Sequence, residues 1–106
     1  MFYKKTANGY KIPMEGVEVK ALAWGDRTML CEFRIKAGKS VPEHEHPHEQ
    51  TGYLVRGKMR LFIKEESMEL GPGDSWCVPG GVVHRADVLE DSLIIEVFSP
   101  PRKDYL

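Results

Sequence analysis

Three of the four histidines in this 106-residue chain fall within five positions, in Pro42-Glu43-His44-Glu45-His46-Pro47-His48-Glu49-Gln50. On a strand, side chains two apart point to the same face. His44 and His46 can therefore present two imidazoles to one point, as a metal ion about 2 Å from each nitrogen requires. Pro47 bends the chain after them. Gln50, just past the bend, can bring its amide oxygen to the same centre, and a fourth ligand can come from a distant strand carrying His84. Imidazole nitrogens with one amide oxygen suit Zn, Ni, Mn, Fe or Cu, so the donor set points to a divalent transition metal without choosing the ion. The set His44, His46, Gln50 and His84 is wholly neutral and leaves the ion's double charge uncompensated. That favours Lewis-acid chemistry on an anionic substrate over the stabilising of a highly oxidised iron. Two roles stay open for His48: a partner or substrate contact beside the metal, or a structural or exposed residue, the reading we prefer.

Such a cluster has to be held by strands. Apolar and polar residues alternate from about Gly16 to the end, and no segment keeps a helical period beyond two turns. Val17, Val19, Ala21 and Ala23 alternate with Glu18, Lys20, Leu22 and Trp24. The turn Gly25-Asp26 then leads into a strand from Arg27 to Lys36, which is a hairpin signal. After Ala37-Gly38-Lys39 come a short His-bearing strand, a run from Thr51 to Arg56, a turn at Gly57-Lys58, and the alternating Met59, Leu61 and Ile63. Gly71-Pro72-Gly73-Asp74 and Gly80-Gly81 bracket the short run Trp76 to Pro79. Ser92 to Ser99 is apolar enough to be buried on both faces, and Pro100-Pro101 must end it. Roughly eight to ten short strands with regular turns fit one all-β domain, a double-sheet jelly roll or small barrel.

Fifteen basic and sixteen acidic side chains leave a formal charge of −1 with the signs interspersed, which argues against a nucleic-acid partner. No eighteen apolar residues occur in succession and the start has no signal-peptide run, so a soluble, cytoplasmic chain with no membrane partner is expected. Cys31 and Cys77 lie far apart and outside any CxxC pair, and each is expected as a buried free thiol. A small open barrel gains stability from a second copy, so a homodimer is expected.

The spacings Gly38-x5-His44-x-His46-x3-Gln50-x6-Gly57 and Gly73-x5-Pro79-x-Gly81-x2-His84 resemble the paired motifs of the cupin family. The first motif supplies two His and an acidic or amide residue, and the second supplies one more His. The resemblance implies a double-stranded β-helix, the cupin jelly-roll barrel, over residues 1–106. Two positions depart from the common pattern: Gln50 stands where glutamate is commoner, and Val88 where the second motif usually ends in asparagine. The His cluster, together with the ending Glu96-Val97-Phe98-Ser99-Pro100-Pro101-Arg102-Lys103-Asp104-Tyr105-Leu106, also resembles the KdgF-type pectin-degradation cupins.

That narrower resemblance implies conversion of 4,5-unsaturated monouronates to linear ketonised sugar acids. It implies an acidic residue, a phenylalanine and an arginine in the active site, matched here by Glu96, Phe98 and Arg102. The acidic residue is usually aspartate in the family, and the longer Glu96 shifts the carboxylate by about one carbon–carbon bond. Glu96 and Phe98 are two apart and share a strand face with Ile94. If that face lines the barrel interior, Glu96 is a carboxylate in a mostly apolar pocket and can act as a general acid or base, and Arg102 can pair with a substrate carboxylate. An enzyme acting on a small carboxylated sugar is the leading reading. An iron-dependent dioxygenase and a non-catalytic small-ligand binding or sensor module are the alternatives. No Walker loop, Rossmann glycine fingerprint or GxSxG is present.

Overall fold

The computed structural model describes residues 1–106 as eight strands and one short 3-10 turn. The strands are β1 (Lys11–Met14), β2 (Val17–Trp24), β3 (Met29–Ile35), β4 (Ser40–His44), β5 (Glu49–Ile63), β6 (Glu66–Leu70), β7 (Ser75–Val78) and β8 (His84–Ser99), and the turn is Lys103–Tyr105. All strand pairs are antiparallel, in the order β1-β2-β3-β8-β5-β6, with β4 added on β8 and β7 on β5.

Two long strands make the barrel by each serving two sheets. The first half of β5 pairs with the second half of β8 and with β7, while its second half pairs with the first half of β8 and with β6. The interior faces then meet. Val17, Ile35, Leu54 and Ile94 from one layer form a single buried cluster with Met59, Leu61, Leu70, Ala86 and Val88 from the other. Each buried Val, Leu, Ile or Met of this cluster contributes about 1.5–3 kcal/mol. A second cluster, Val19, Met29, Cys31 and Phe98, extends the core toward the end of the barrel that carries the histidines.

Gly57 behaves differently from the expected turn. It lies inside the continuous strand β5, where the register with β8 shifts between Leu54 and Met59. Its φ is +105°, which L residues resist, and a Cβ there would overlap Ser92 Oγ and the Asp91 carbonyl. The glycine bends β5 from one sheet to the other at a bulge, so its backbone angle is special as expected while its context is not a hairpin. Ser92 to Ser99 is the second half of the longer β8, and it buries one face fully while leaving the other half-buried. Its outward side chains have neighbours along the sheet but no second layer over them.

The cysteines also divide. Cys31 is fully buried, whereas Cys77 is exposed, against expectation. On β7 the inward positions are Trp76 and Val78, and the residue between them must face out.

Candidate metal centre and active site

His44 and His84 are direct partners across the β4–β8 ladder, with ring centroids 4.1 Å apart. His46 lies past the end of β4 rather than two along the same strand as expected, because β4 stops at His44 and the chain bends at Pro47 and His48. Its ring still converges, with centroids 5.0 Å from His84 and 5.6 Å from His44. The loop is clamped from the β7–β8 turn. The Gly81 amide donates to the His46 carbonyl at 2.8 Å, and Gly80 lies so close to the Pro47 carbonyl that a Cβ would overlap it.

Each of the three rings is oriented by its own backbone. The Nδ1 atoms of His44, His46 and His84 lie 2.8, 2.9 and 2.8 Å from the carbonyls of Pro42, His48 and Val82. A carbonyl can only accept, so each Nδ1 carries the proton and each Nε2 of the neutral ring keeps its lone pair. The Nε2 atoms of His46 and His84 are buried without any hydrogen-bond partner, and one nitrogen from each of the three rings lies within 4.8 Å of the others. Buried lone pairs left unmatched and aimed at one point fit a cation. Burial, and then the Arg102 charge, holds the His46 imidazole below its ordinary pKa. Burial, and then its histidine neighbours, does the same for His84, which favours the neutral ligating form.

Gln50, on β5, is buried at the same end of the barrel, lines one cavity with His44 and His84, and donates from Nε2 to Glu96 Oε2 at 3.0 Å. Glu96 accepts a second bond, from Trp76 Nε1 at 3.3 Å. Burial pushes the Glu96 carboxyl up to about 7, against the pull of the Trp76 and Gln50 donors and of the Arg102 charge. A group with that pKa both accepts and releases a proton near neutrality.

His44, Gln50, His84, Glu96, Phe98, Arg102 and Tyr105 line one cavity of about 90 Å³. The rings of Phe33, Phe98 and Tyr105 stand 5.7–6.3 Å from one another. The Arg102 guanidinium lies 4.3 Å over the Tyr105 ring and 5.3 Å over Phe98, and it pairs with Asp104 at 2.9 Å. The C-terminal turn is therefore a packed wall of the cavity. His48 supplies the carbonyl that orients His46, while its own ring stands outside the three-imidazole group.

Sequence reasoning did not single out Trp76, Tyr105 or Gly52. All three sit in segments it marked, but the place of Tyr105 at the cavity and the reach of Trp76 over Gly52 to Glu96 depend on the path of the tail and on strand register.

No helix is long and apolar enough to cross a membrane. The cupin domain family matches residues 31–98. The chain is 30% identical to the pectin degradation protein KdgF of Dickeya dadantii over 87% of this chain and 86% of that one. Among solved structures, KdgF from a Halomonas species superposes with a TM-score of 0.92 at 31% identity, covering the whole of both chains. An RmlC-like cupin from Shewanella frigidimarina gives a TM-score of 0.92 at 26% identity, covering 99% of this chain and 95% of that one.

Proposed function

The chain belongs to the cupin family and resembles KdgF within it, and from that premise we propose that it is a metal-dependent enzyme that opens and ketonises 4,5-unsaturated monouronates. His44, His46, His84 and Gln50 would hold a divalent transition metal, which when bound supplies Lewis acidity toward substrate oxygens. The observation that carries the reading is the buried Glu96 carboxyl, with its pKa near 7, facing the same small cavity as His44, His84 and Arg102.

The reaction is an isomerisation and needs no co-reactant. The anomeric hydroxyl loses its proton, the ring C–O bond breaks to give an aldehyde and an enolate, and a proton added to the alkene carbon of that enolate completes a ketone. One proton leaves and one returns. A single carboxyl that titrates near neutrality can take the first and deliver the second. Arg102 can bind the uronate carboxylate through its guanidinium. Phe98 walls the cavity with an apolar ring, which excludes water from the enolate and strengthens the charge interactions around Glu96.

Incubating metal-loaded protein with an unsaturated monouronate, and following the loss of absorbance from its double bond, tests this. Acceleration over metal-free protein is expected. The same rate with and without metal would overturn it.

Pairing with a second copy belongs to the same reading. Tyr53 and Val55, 49% and 39% exposed, lie on the outward side of β5, beside the half-buried Ile95 and Val97 of β8. Light scattering at twice the chain mass is the expected result, and a monomer at micromolar concentration would remove it.

A further inference from the structure

A row of four residues runs straight across the sheet: Cys31 on β3, Glu96 on β8, Gly52 on β5 and Trp76 on β7 are successive ladder partners. Two strand spacings, about 9–10 Å, separate the backbone of Trp76 from that of Glu96. A side chain from β7 reaches a carboxylate on β8 only if it is long and if the strand between them presents no side chain. Both conditions are met. Trp76 Nε1 lies 3.3 Å from Glu96 Oε1, and a Cβ added at Gly52 would overlap the indole at Cε2, Cζ2 and Nε1.

Gly52 has no left-handed backbone angle, unlike Gly38, Gly57, Gly73 and Gly81. The reason for a glycine at 52 is thus the space the indole occupies. On the other side of the carboxylate, Gln50 donates to the second oxygen at 3.0 Å. With one donor on each oxygen, both the position and the plane of the carboxyl group are held. A ring present only for core packing would need neither the aimed N–H nor the bare strand beneath it.

We propose that Trp76, seated over Gly52, is a positioning residue that fixes the Glu96 carboxylate in the cavity. Its effect on turnover rests on the uronate reading above, but the contact itself can be tested separately. A group that moves a proton to carbon loses rate steeply when its placement loosens, while substrate binding through Arg102 is left alone.

The first measurement is the ¹⁵N-indole spectrum of the zinc-loaded protein, with Trp24→Phe used to identify the other indole. The Trp76 N–H resonance is expected at the hydrogen-bonded, slowly exchanging position, and Glu96→Gln is expected to shift it and to speed its exchange. A Trp76 resonance indifferent to Glu96→Gln overturns the proposal, whatever substrate the cavity takes. The second is kinetic. Trp76→Phe, which keeps a ring over Gly52 and removes only the donor, is expected to lower kcat about tenfold with KM unchanged. Gly52→Ala is expected to match it by displacing the indole, and the double variant to be no slower than either single one by more than twofold. An unchanged kcat in Trp76→Phe, or losses that multiply in the double variant, overturns the proposal. If Gly52→Ala does not fold, Trp76→Phe and the spectrum decide the matter. If the wild type turns over no uronate, the functional reading falls and the indole spectrum still decides this one.

Discussion

Gln50 Nε2 donates to Glu96 Oε2 at 3.0 Å, so the amide beside the three imidazoles and the buried carboxyl are one hydrogen-bonded unit. Replacing Gln50 with Glu removes the donor and sets a second carboxylate against the first. Like charges at that distance cannot both ionise, and the pair would share a proton. Gln50→Glu is expected to tighten metal binding, by adding a charged ligand, and to lower kcat about 10–100-fold at neutral pH. Calorimetric metal titration with steady-state kinetics checks both. A variant with full activity would remove Gln50 from the pair.

Metal-free protein should carry a Glu96 signature in its stability against pH. The folded-state pKa is raised from 4.5 to about 7, so the folded form holds its proton more tightly than the unfolded chain does. Its stabilising contribution is full below about pH 4.5 and is lost as pH rises through about 7, a change of about 3 kcal/mol. His46 and His84, held below their ordinary values, work in the opposite direction, favouring the fold above pH 6.5 and weakening it as pH falls. Subtracting the denaturation curves of Glu96→Gln from those of wild type isolates the carboxyl. A flat difference between pH 4.5 and 7 would contradict the burial cost assigned to it.

His84 lies at the meeting point of β4 and β8 and carries one of the buried unpartnered Nε2 atoms. His84→Ala is expected to abolish stoichiometric binding of zinc or nickel, together with the rise in melting temperature that metal gives the wild type. Elemental analysis and thermal denaturation, with and without chelator, provide the check. A variant that kept one ion per chain would place the metal elsewhere.

Arg102 is held by Asp104 and stacks on Tyr105, so it has two separable roles. Arg102→Lys keeps a charge but loses the planar fork and the stacking. It is expected to raise KM for a carboxylated substrate about tenfold with a smaller change in kcat. Arg102→Ala should raise KM further and loosen the C-terminal turn. Equal KM values in both variants and wild type would take Arg102 out of substrate binding.

Gly57 combines a φ of +105° with direct contact to Ser92 and the Asp91 backbone. Gly57→Ala is therefore expected to destabilise the fold by about 2 kcal/mol or more, through strain together with overlap at the bend of β5. Urea denaturation measures it, and a loss under 0.5 kcal/mol, of the order of an ordinary surface change, would show that the bend relaxes freely.

Local pattern in the chain was enough to determine an all-β fold, the hairpin of β2 and β3, and the turns at Gly71–Asp74 and Gly80–Gly81, whereas the meeting of His44, His46 and His84 is made by the β4–β8 pairing and the bend after His44. A two-residue period puts Glu96 and Phe98 on one face of β8, a face that the structure turns inward. It cannot tell which strand lies alongside. Whether Gly57 makes a hairpin or a bulge depends on Ser92, thirty-five residues away in sequence, crossing at that point. The same limit hid the row from Cys31 to Trp76, which exists only because four strands align in register, and the turn that brings Tyr105 over Phe98. Residue types and spacing set what chemistry this chain can carry. Non-local pairing between strands decided which donors reach the carboxyl and what encloses it, because those contacts are made across the sheet rather than along the chain.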